Sequence, residues 1–505
     1  STRKESSAAS DVYKRQSLMS ATDHITLSYP ILDSSGQIAE MSPFFKRLVD
    51  AFSVDVTTVS GQPASSSALI KHYIGTPQTT LSELVKILPV ARQTSAFKSL
   101  KSLLETTVKS RLTRVFSAPN YQNKPVQLRP EFVAALFGEQ LNVSISQLES
   151  YYHNPYAYFL QYGLHLKERT TNTLDMAQTG TLYHAIFEKV LAHLIQNNLS
   201  LRDLTSDDIK HLVSEQMGQL MTSPVFEILT ENGKMRATSE YLTRVSDILL
   251  LNLQASAREN TSRPLAVEQL FGFPKASLPA LQLPKIHVRG KLDRLDSQDS
   301  AGEFGTIIDY KSNGKLFSWA QAYDGLQMQL LTYWDAAQQS ASQLGFDKVG
   351  GAFFAKIVPD KTSLTSNMDI DALLEGRILP ENFKYRGLFI SDSAYVDALA
   401  DIEASEKSPH YPLARLKNGD LGKSGVDAVS PEEFEALLKR NRQNIVTAGQ
   451  QILAGHFPLS PVEGGLTYSP YLDIMRFDRA LGDRYREQTT GDKNRTLELL
   501  KDEDE

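Results

Sequence analysis

Two short segments of this sequence combine carboxylates with a basic side chain at spacings suited to metal-dependent hydrolysis. Residues two apart on a strand point to the same face, so Asp309 and Lys311 in the stretch Ile-Ile-Asp-Tyr-Lys project together. Asp293 follows an earlier strand-like segment, 286–292. If the two segments form a hairpin, Asp293 lies beside Asp309, and neighbouring carboxylates repel each other unless a cation lies between them.

Phosphodiester hydrolysis needs the groups that this pattern supplies. Magnesium prefers oxygen ligands and keeps several waters, and a metal-bound water is acidic enough to become the nucleophile. Lys311 can orient that water, deprotonate it or stabilise charge in the transition state, and the sequence does not choose between these roles. Taken alone, an Asp-x-Lys on a strand is usually a surface ion pair, so the hydrolytic interpretation depends on further residues.

Polar side chains on predicted helices accompany the strand residues. His184 lies on a helix predicted over 178–194, whose apolar residues recur on one face, and Glu188 lies one turn later. Gln329 and Tyr333 are four residues apart and share a face of a later helix. Each also has a structural interpretation, since a lone helical histidine is more often structural than a ligand, and a buried tyrosine beside a solvated glutamine is common.

The predicted elements around these residues follow the order of an α/β protein. Either Ser144 or Ser146 can cap a helix that ends near Gly163. Predicted helices cover 144–162, 178–194, 207–221, 238–256 and 319–342. Predicted strands cover 286–292, 306–311 and 349–357, with a polar turn at 297–305 between the first two. The preceding segment contains a strand-like stretch at 24–29 and helices near 44–52 and 81–88.

Composition limits the class of protein. A chain of 505 residues is expected to hold two or three domains, and we divide it into 1–16 (disordered or foreign), 17–128 and 129–505. The sequence has no apolar run of membrane-spanning length, no signal peptide and no Gly-x-x-x-x-Gly-Lys-Ser/Thr motif for ATP. The lack of cysteine excludes thiolate metal sites and fits a cytoplasmic protein. A net charge of −6 neither supports nor excludes a nucleic-acid partner.

Four ordered motifs together resemble the RecB-like branch of the PD-(D/E)XK nuclease superfamily. They are the Gly-to-His helix at 180–184, Gly-x-x-Asp-Arg at 290–294, Asp-Tyr-Lys at 309–311 and Gln-x-x-x-Tyr at 329–333. The resemblance implies a mixed central sheet flanked by helices. It also implies that His184, Asp293 and Asp309 bind the metal, that Lys311 is catalytic, and that Gln329 and Tyr333 lie beside the site. Glu268 lies where such domains often carry an acid, and its role, like that of Glu188, is left open.

The flanking segments are similar to those of the AddB/RexB family, the B subunits of ATP-dependent helicase/nucleases that process double-strand breaks. The likeness lies in residues 148–164 and in Leu-Ser-Tyr-Pro at 27–30, and it implies that 17–128 is the end of a helicase-like domain. Many members hold an iron–sulfur cluster on four cysteines, at positions that here are Asn154, Leu466, Ser469 and Met475. We therefore expect no cluster. Instead, the clamp segment 455–485 is expected to depend on packing around Tyr156, Phe159, Tyr471 and Phe477.

This resemblance implies an activity and partners. The activity is that of a Mg²⁺-dependent DNA exonuclease, with Mn²⁺ as an alternative metal, that acts on a single strand delivered by a helicase. The partner is an A subunit of the RexA/AddA type, and in the family the B-subunit nuclease cuts the strand that runs 5′ to 3′. The alternative is a structural subunit with a degenerate nuclease fold that binds DNA or its partner without cutting. Intact Asp293, Asp309 and Lys311 argue against that alternative.

Overall fold

The computed structural model forms two compact units, Ser1–Tyr121 and Gln122–Glu505. It describes residues 12, 15–16, 18–32, 37–59, 74–91, 94–118, 127–168, 176–298, 303–312, 314–357, 383–422 and 428–502. The domain limits and roles assigned from the sequence stay predictions, and the segment 1–16 lies almost entirely outside the described residues. Across the described ranges, no helix is long and apolar enough to cross a bilayer.

In the described part of the first unit, regular secondary structure is helical apart from an isolated bridge between Leu32 and Ile38. Its helices are α1 (Pro43–Phe52), α2 (Pro77–Ala91), α3 (Ser95–Thr107) and α4 (Lys109–Ser117). The last three bury a small core of Leu81, Leu84, Phe97, Leu100, Leu104 and Leu112. The helices predicted near 44–52 and 81–88 are therefore confirmed. The strand predicted at 24–29 is wrong, because these residues are largely exposed and pair with no strand of the described chain that could satisfy their backbone groups.

The second unit is built on a mixed sheet. Its strands are β1 (Leu141–Ser144), β2 (Ser262–Phe271), β3 (Leu281–Leu283), β4 (Ile286–Gln298), β5 (Phe304–Lys311), β6 (Lys348–Lys356), β7 (Arg386–Ile390) and β8 (Ala428–Val429). The main order is β1-β4-β5-β6-β7-β8, and β2 and β3 both pair with β4. The β4–β5 pairing is antiparallel while the β5–β6 pairing is parallel, so the predicted mixed sheet is confirmed.

Helices cover both faces of this sheet. Before β2 they are α5 (Pro130–Phe137), α6 (Ile145–His153), α7 (Pro155–Tyr158), α8 (Met176–Gln196), α9 (Ser206–Met221) and α10 (Gly233–Glu259). After β5 they are α11 (Trp319–Tyr323), α12 (Gln329–Gln339), α13 (Ala341–Leu344), α14 (Ser393–Leu399), α15 (Pro431–Leu453), α16 (Leu472–Met475) and α17 (Lys493–Asp502). Ile308 and Tyr310 of β5 enter a core with α8, α9 and α10, whereas Ile307 enters a core with α6, α12 and α15. Because side chains alternate along a strand, Asp309 lies on the face opposite to that of its neighbours Ile308 and Tyr310.

Two predicted helices are interrupted, each for a local reason. Ser144 does cap α6 through a capping box with Gln147, but α6 ends at His153 because Asn154 adopts an extended conformation and starts a new helix with Pro155. The helix predicted over 319–342 is three short helices. Gly325 has a φ of +77°, a left-handed conformation that ends α11, and α12 begins only at Gln329.

The clamp between the two ends of the second unit is a packed cluster. Leu160, Leu459, Tyr471 and Met475 are buried together, and Tyr156, Phe159 and Phe477 pack against them, as predicted for this segment. Asn154 Nδ2 donates to Met475 Sδ at 3.2 Å, which joins two of the four positions where the sequence resemblance implies cluster cysteines in related proteins. Tyr471 Oη also donates to the backbone oxygen of Leu166 at 2.9 Å.

We expect Met475→Ala to destabilise the second unit by about 2–5 kcal/mol, because it leaves a cavity at a fully buried side chain. Ile474→Ala is the matched control, since Ile474 is in the same helix and is 48% exposed, and it should change the free energy of unfolding by less than about 0.5 kcal/mol. Urea denaturation measures both. Equal stability of the two variants would show that the cluster does not hold the ends together.

Candidate metal centre

The hairpin of β4 and β5 opens at the point where its acidic residues lie. The paired residues of the two strands run from Ser297 opposite Gly305 to Arg294 opposite Ile308. Beyond that point, the backbone N–H of Tyr310 donates to Asp293 Oδ2 at 2.9 Å. The side chain of Asp293 therefore takes the place of a strand partner and is held between the two separating strands.

Three potential metal ligands converge at this opening. His184, Glu268 and Asp293 each offer a ligand atom, and these atoms lie within 4.8 Å of one another. His184 Nδ1 is 3.5 Å from Asp293 Oδ2, and the imidazole packs edge-on against the ring of Tyr310. The structure thus brings together two of the three ligands predicted from the sequence, while the carboxylate of Asp309 falls outside this group of three.

Glu268 is the ligand candidate whose role could not be assigned from the sequence. Val267 pairs with Arg294 and Gln269 with Leu292, so the register places Glu268 opposite Asp293. Glu268 has a φ of 52°, which is uncommon for a residue with a side chain and costs backbone strain. The available sequence signal was an acid in a strand-like stretch, and its partner could be identified only once β2 was known to pair with β4.

Asp309 belongs to a hydrogen-bonded group on the α12 side of the sheet. Lys311 Nζ forms an ion pair with Asp309 Oδ2, and Gln329 Nε2 donates to Asp309 Oδ1 at 2.8 Å. The same Gln329 amide donates to Tyr333 Oη at 3.1 Å. All four residues were predicted as site residues from the sequence, and the structure places them together beside Asp293.

Gly290 of the Gly-x-x-Asp-Arg motif is needed for packing behind this group. A Cβ on Gly290 would lie 2.6 Å from the ring of Phe271 and 3.2 Å from the ring of Tyr333. The ring of Phe271 would have to move, and Tyr333 would shift by a few tenths of an ångström beside Gln329. Gly180 is different, since a Cβ there would meet Ser312 at an ordinary contact distance of 3.6 Å.

Burial sets the protonation of the site. It raises the pKa of Asp293 to about 6, although the hydrogen bond from Tyr310 and the charge of Lys311 both act to lower this pKa. Burial likewise raises the pKa of Asp309 to about 6, with Lys311 opposing the shift and Asp293 adding to it. Burial lowers the pKa of His184, which favours the neutral imidazole that binds metals. Glu188, one turn beyond His184, has a raised pKa because of burial and the nearby Glu268.

The donor set fits a hard divalent cation. Ligands on opposite sides of Mg²⁺ are separated by about 4.2 Å, twice the metal–oxygen distance of about 2.1 Å. Spacings of up to 4.8 Å therefore require only a small closure of the side chains. The two carboxylates of Glu268 and Asp293 and the neutral imidazole of His184 supply two negative charges. A cation would also offset the desolvation of Asp293 and its repulsion with the neighbouring Asp309.

We expect Mn²⁺ affinity to fall as the pH is lowered through about 6, because protons must leave Asp293 and Asp309 before a metal binds. In the metal-free protein, the free energy of unfolding changes with pH in the opposite direction. A carboxyl group whose pKa is raised by folding contributes stability that is fully present below about 3.9, its pKa in the unfolded chain. That stability is lost as the pH rises through about 6. Calorimetric titration at pH 5, 6 and 7 measures the affinity, and a flat profile would contradict the assignment.

Comparison with known proteins identifies a family that this chain resembles. Residues 142–468 match the model of the PD-(D/E)XK nuclease superfamily. Three similar proteins are each named as the B subunit of an ATP-dependent helicase/deoxyribonuclease. The protein of Leuconostoc mesenteroides is 65% identical over 96% of this chain, that of Leuconostoc citreum 56% over 97%, and that of Oenococcus oeni 37% over 95%. The chain spans 42–43% of the length of these relatives.

Proposed function

This chain belongs to the PD-(D/E)XK nuclease superfamily, and we propose on that premise that it is a divalent-metal-dependent deoxyribonuclease. The observation that carries the proposal is the convergence of His184, Glu268 and Asp293 within 4.8 Å, beside the ion pair of Asp309 and Lys311. Members of this superfamily use divalent metals, and the donor set here is suited to one.

The ligands of the proposed ion are Asp293, Asp309, His184 and Glu268. When bound, the ion would make a coordinated water more acidic and offset charge on the phosphoryl oxygens. Asp309 would join this set through the oxygen that now pairs with Lys311, while Gln329 binds its other oxygen. His184 contributes a neutral nitrogen, since burial lowers its pKa.

Lys311 is the proposed catalytic residue. Its side chain is 22% exposed while that of Asp309 is 2% exposed, so the ammonium group lies between the buried carboxylate and the solvent from which a substrate arrives. There it can orient the attacking water or stabilise charge developing on a phosphate. Tyr333 and Gln329 act on Asp309, since their shared hydrogen bond fixes the amide that holds this carboxylate.

The biological setting is proposed from the named relatives. We infer exonucleolytic action on a single DNA strand, with Mg²⁺ preferred and Mn²⁺ as a substitute, in a complex with a helicase-bearing A subunit. The strand that runs 5′ to 3′ is the proposed substrate strand. Repair of double-strand breaks is the process in which such an assembly would act.

Cleavage of end-labelled single-stranded DNA tests this function. Wild-type protein with Mg²⁺ should shorten DNA, whereas EDTA or Asp309→Ala should abolish shortening, and comparison of 5′- and 3′-labelled strands gives the direction. If wild type and Asp309→Ala both bind DNA and neither cuts it with Mg²⁺ or Mn²⁺, the chain is a non-cleaving scaffold.

A further inference from the structure

We propose that Glu149 is a positioning residue for Asp309, acting through the start of helix α12. This inference rests on the proposed nuclease function, because it assigns a further residue to the same site. Glu149 lies on α6, about 180 residues before the helix on which it acts, and it belongs to none of the four sequence motifs.

The contacts of Glu149 are directed at two backbone amides. Glu149 Oε1 accepts from the N–H of Met328 at 2.7 Å and from the N–H of Gln329 at 2.9 Å. The first N–H groups of a helix have no partner within the helix, and the side chain of Met328, the N-cap of α12, makes no capping hydrogen bond. The carboxylate therefore supplies the cap from another element, at the end of the helix that favours negative charge.

The capped residue is the one that touches the site. Gln329 is the first residue of α12, and its Nε2 holds Asp309 Oδ1 at 2.8 Å. A shift of the first turn of α12 would move this amide, because the backbone N–H that Glu149 binds and the side-chain amide that binds Asp309 belong to the same residue. The chain of contacts thus runs from Glu149 to the Gln329 backbone, to the Gln329 side chain, to Asp309.

The loop before α12 lies close to α6. Gly325, with its left-handed φ, ends α11, and a Cβ at this position would lie 2.8 Å from the ring of Tyr152 on α6. Helices α6 and α12 therefore meet at this loop, and Glu149 fixes the point at which α12 begins. Burial raises the pKa of Glu149, while the positive charge of Lys315, the two backbone hydrogen bonds and Lys311 all oppose that shift and favour the carboxylate.

A double-mutant cycle separates positioning from general support of the fold. Glu149→Ala should lower kcat for single-stranded DNA by about 10- to 100-fold, as expected when a reacting group is misplaced, with KM within about twofold. Glu149→Gln keeps an acceptor oxygen and should restore most of the rate. In a Gln329→Ala background, Glu149→Ala should change kcat by less than about threefold, because without the Gln329 side chain Glu149 can no longer act on Asp309.

Asp208→Ala is the matched control. Asp208 Oδ2 accepts from the backbone N–H of Thr205 at 2.8 Å at the start of α9, so its removal also weakens a helix end but does not touch the site. It should leave kcat unchanged in both backgrounds. The proposal is overturned if Glu149→Ala lowers kcat by the same factor with and without Gln329, or no more than Asp208→Ala does.

Failure of the nuclease function is distinguishable from failure of this inference. If wild-type protein cuts no DNA, amide hydrogen exchange and Mn²⁺ titration of the same variants decide the role of Glu149. The inference is supported if the amides of Met328 and Gln329 exchange faster in Glu149→Ala. It also requires that Glu149→Ala lowers Mn²⁺ affinity in the wild-type background and lowers it less in a Gln329→Ala background. Unchanged exchange and affinity overturn it.

Discussion

Asp293→Asn is expected to reduce DNA cleavage by at least about a thousandfold, because it removes a negative ligand from a site whose metal contributes several kcal/mol to transition-state stabilisation. The same substitution should not unfold the protein. Burial already disfavours the charged form of Asp293 by raising its pKa, so a neutral amide is expected to raise the free energy of unfolding of the metal-free protein at pH 7. Cleavage under single-turnover conditions and urea denaturation measure the two effects.

Asp247→Asn is the control for this result. Burial raises the pKa of Asp247 to about 6 as well, and Lys210 rather than a carboxylate is its charged neighbour. It lies on α10 and is not among the converging ligands, so its substitution should stabilise the protein at pH 7 and leave cleavage intact. If Asp293→Asn behaves like Asp247→Asn in both assays, Asp293 is a buried acid without a role in metal binding.

Lys311→Ala should lower the rate of cleavage by about 100- to 1,000-fold, the effect of removing a group placed to stabilise developing charge. It should not weaken Mn²⁺ binding. Lys311 forms an ion pair with Asp309, so its removal frees a carboxylate oxygen for the metal and takes a positive charge away from the cation site. Measuring the rate at saturating Mn²⁺ separates the loss of catalysis from any change in metal binding.

Lys315→Ala is the comparison for Lys311. Both ammonium groups lie over the ring of Phe354, Lys315 at 5.0 Å and Lys311 at 5.5 Å, but of these two it is Lys311 that forms the ion pair with Asp309. At saturating DNA and metal, Lys315→Ala should keep the rate within about threefold of wild type. Equal losses in the two variants would mean that the positive charge of this surface, rather than Lys311, supports cleavage.

Local patterns predicted the framework of the site well. Alternation in 286–292 and 306–311 identified the two strands of the hairpin, and their order placed Asp293 near Asp309. The apolar spacing of 178–194 identified α8, and Ser144 was correctly a candidate cap. These features depend on neighbours in sequence, which is why a single sequence contains them.

Features that depend on contacts between distant segments could not be predicted from the sequence. Glu268 reaches Asp293 only because β2 pairs with β4 in one register, and its left-handed backbone has no sequence signal. Glu149 meets the start of α12 across about 180 residues. The strand-like stretch at 24–29 is the opposite case, since its alternation was real but no partner strand accompanies it in the part of the chain that the structure describes.

Anomalous diffraction from crystals soaked in Mn²⁺ tests the central claim most directly. One strong peak should lie within bonding distance of Asp293 and of at least one of the three neighbours Glu268, His184 and Asp309, and it should vanish in Asp293→Asn. No peak in the opening of the β4–β5 hairpin at saturating Mn²⁺, in a protein that still degrades DNA, would contradict the proposed metal centre.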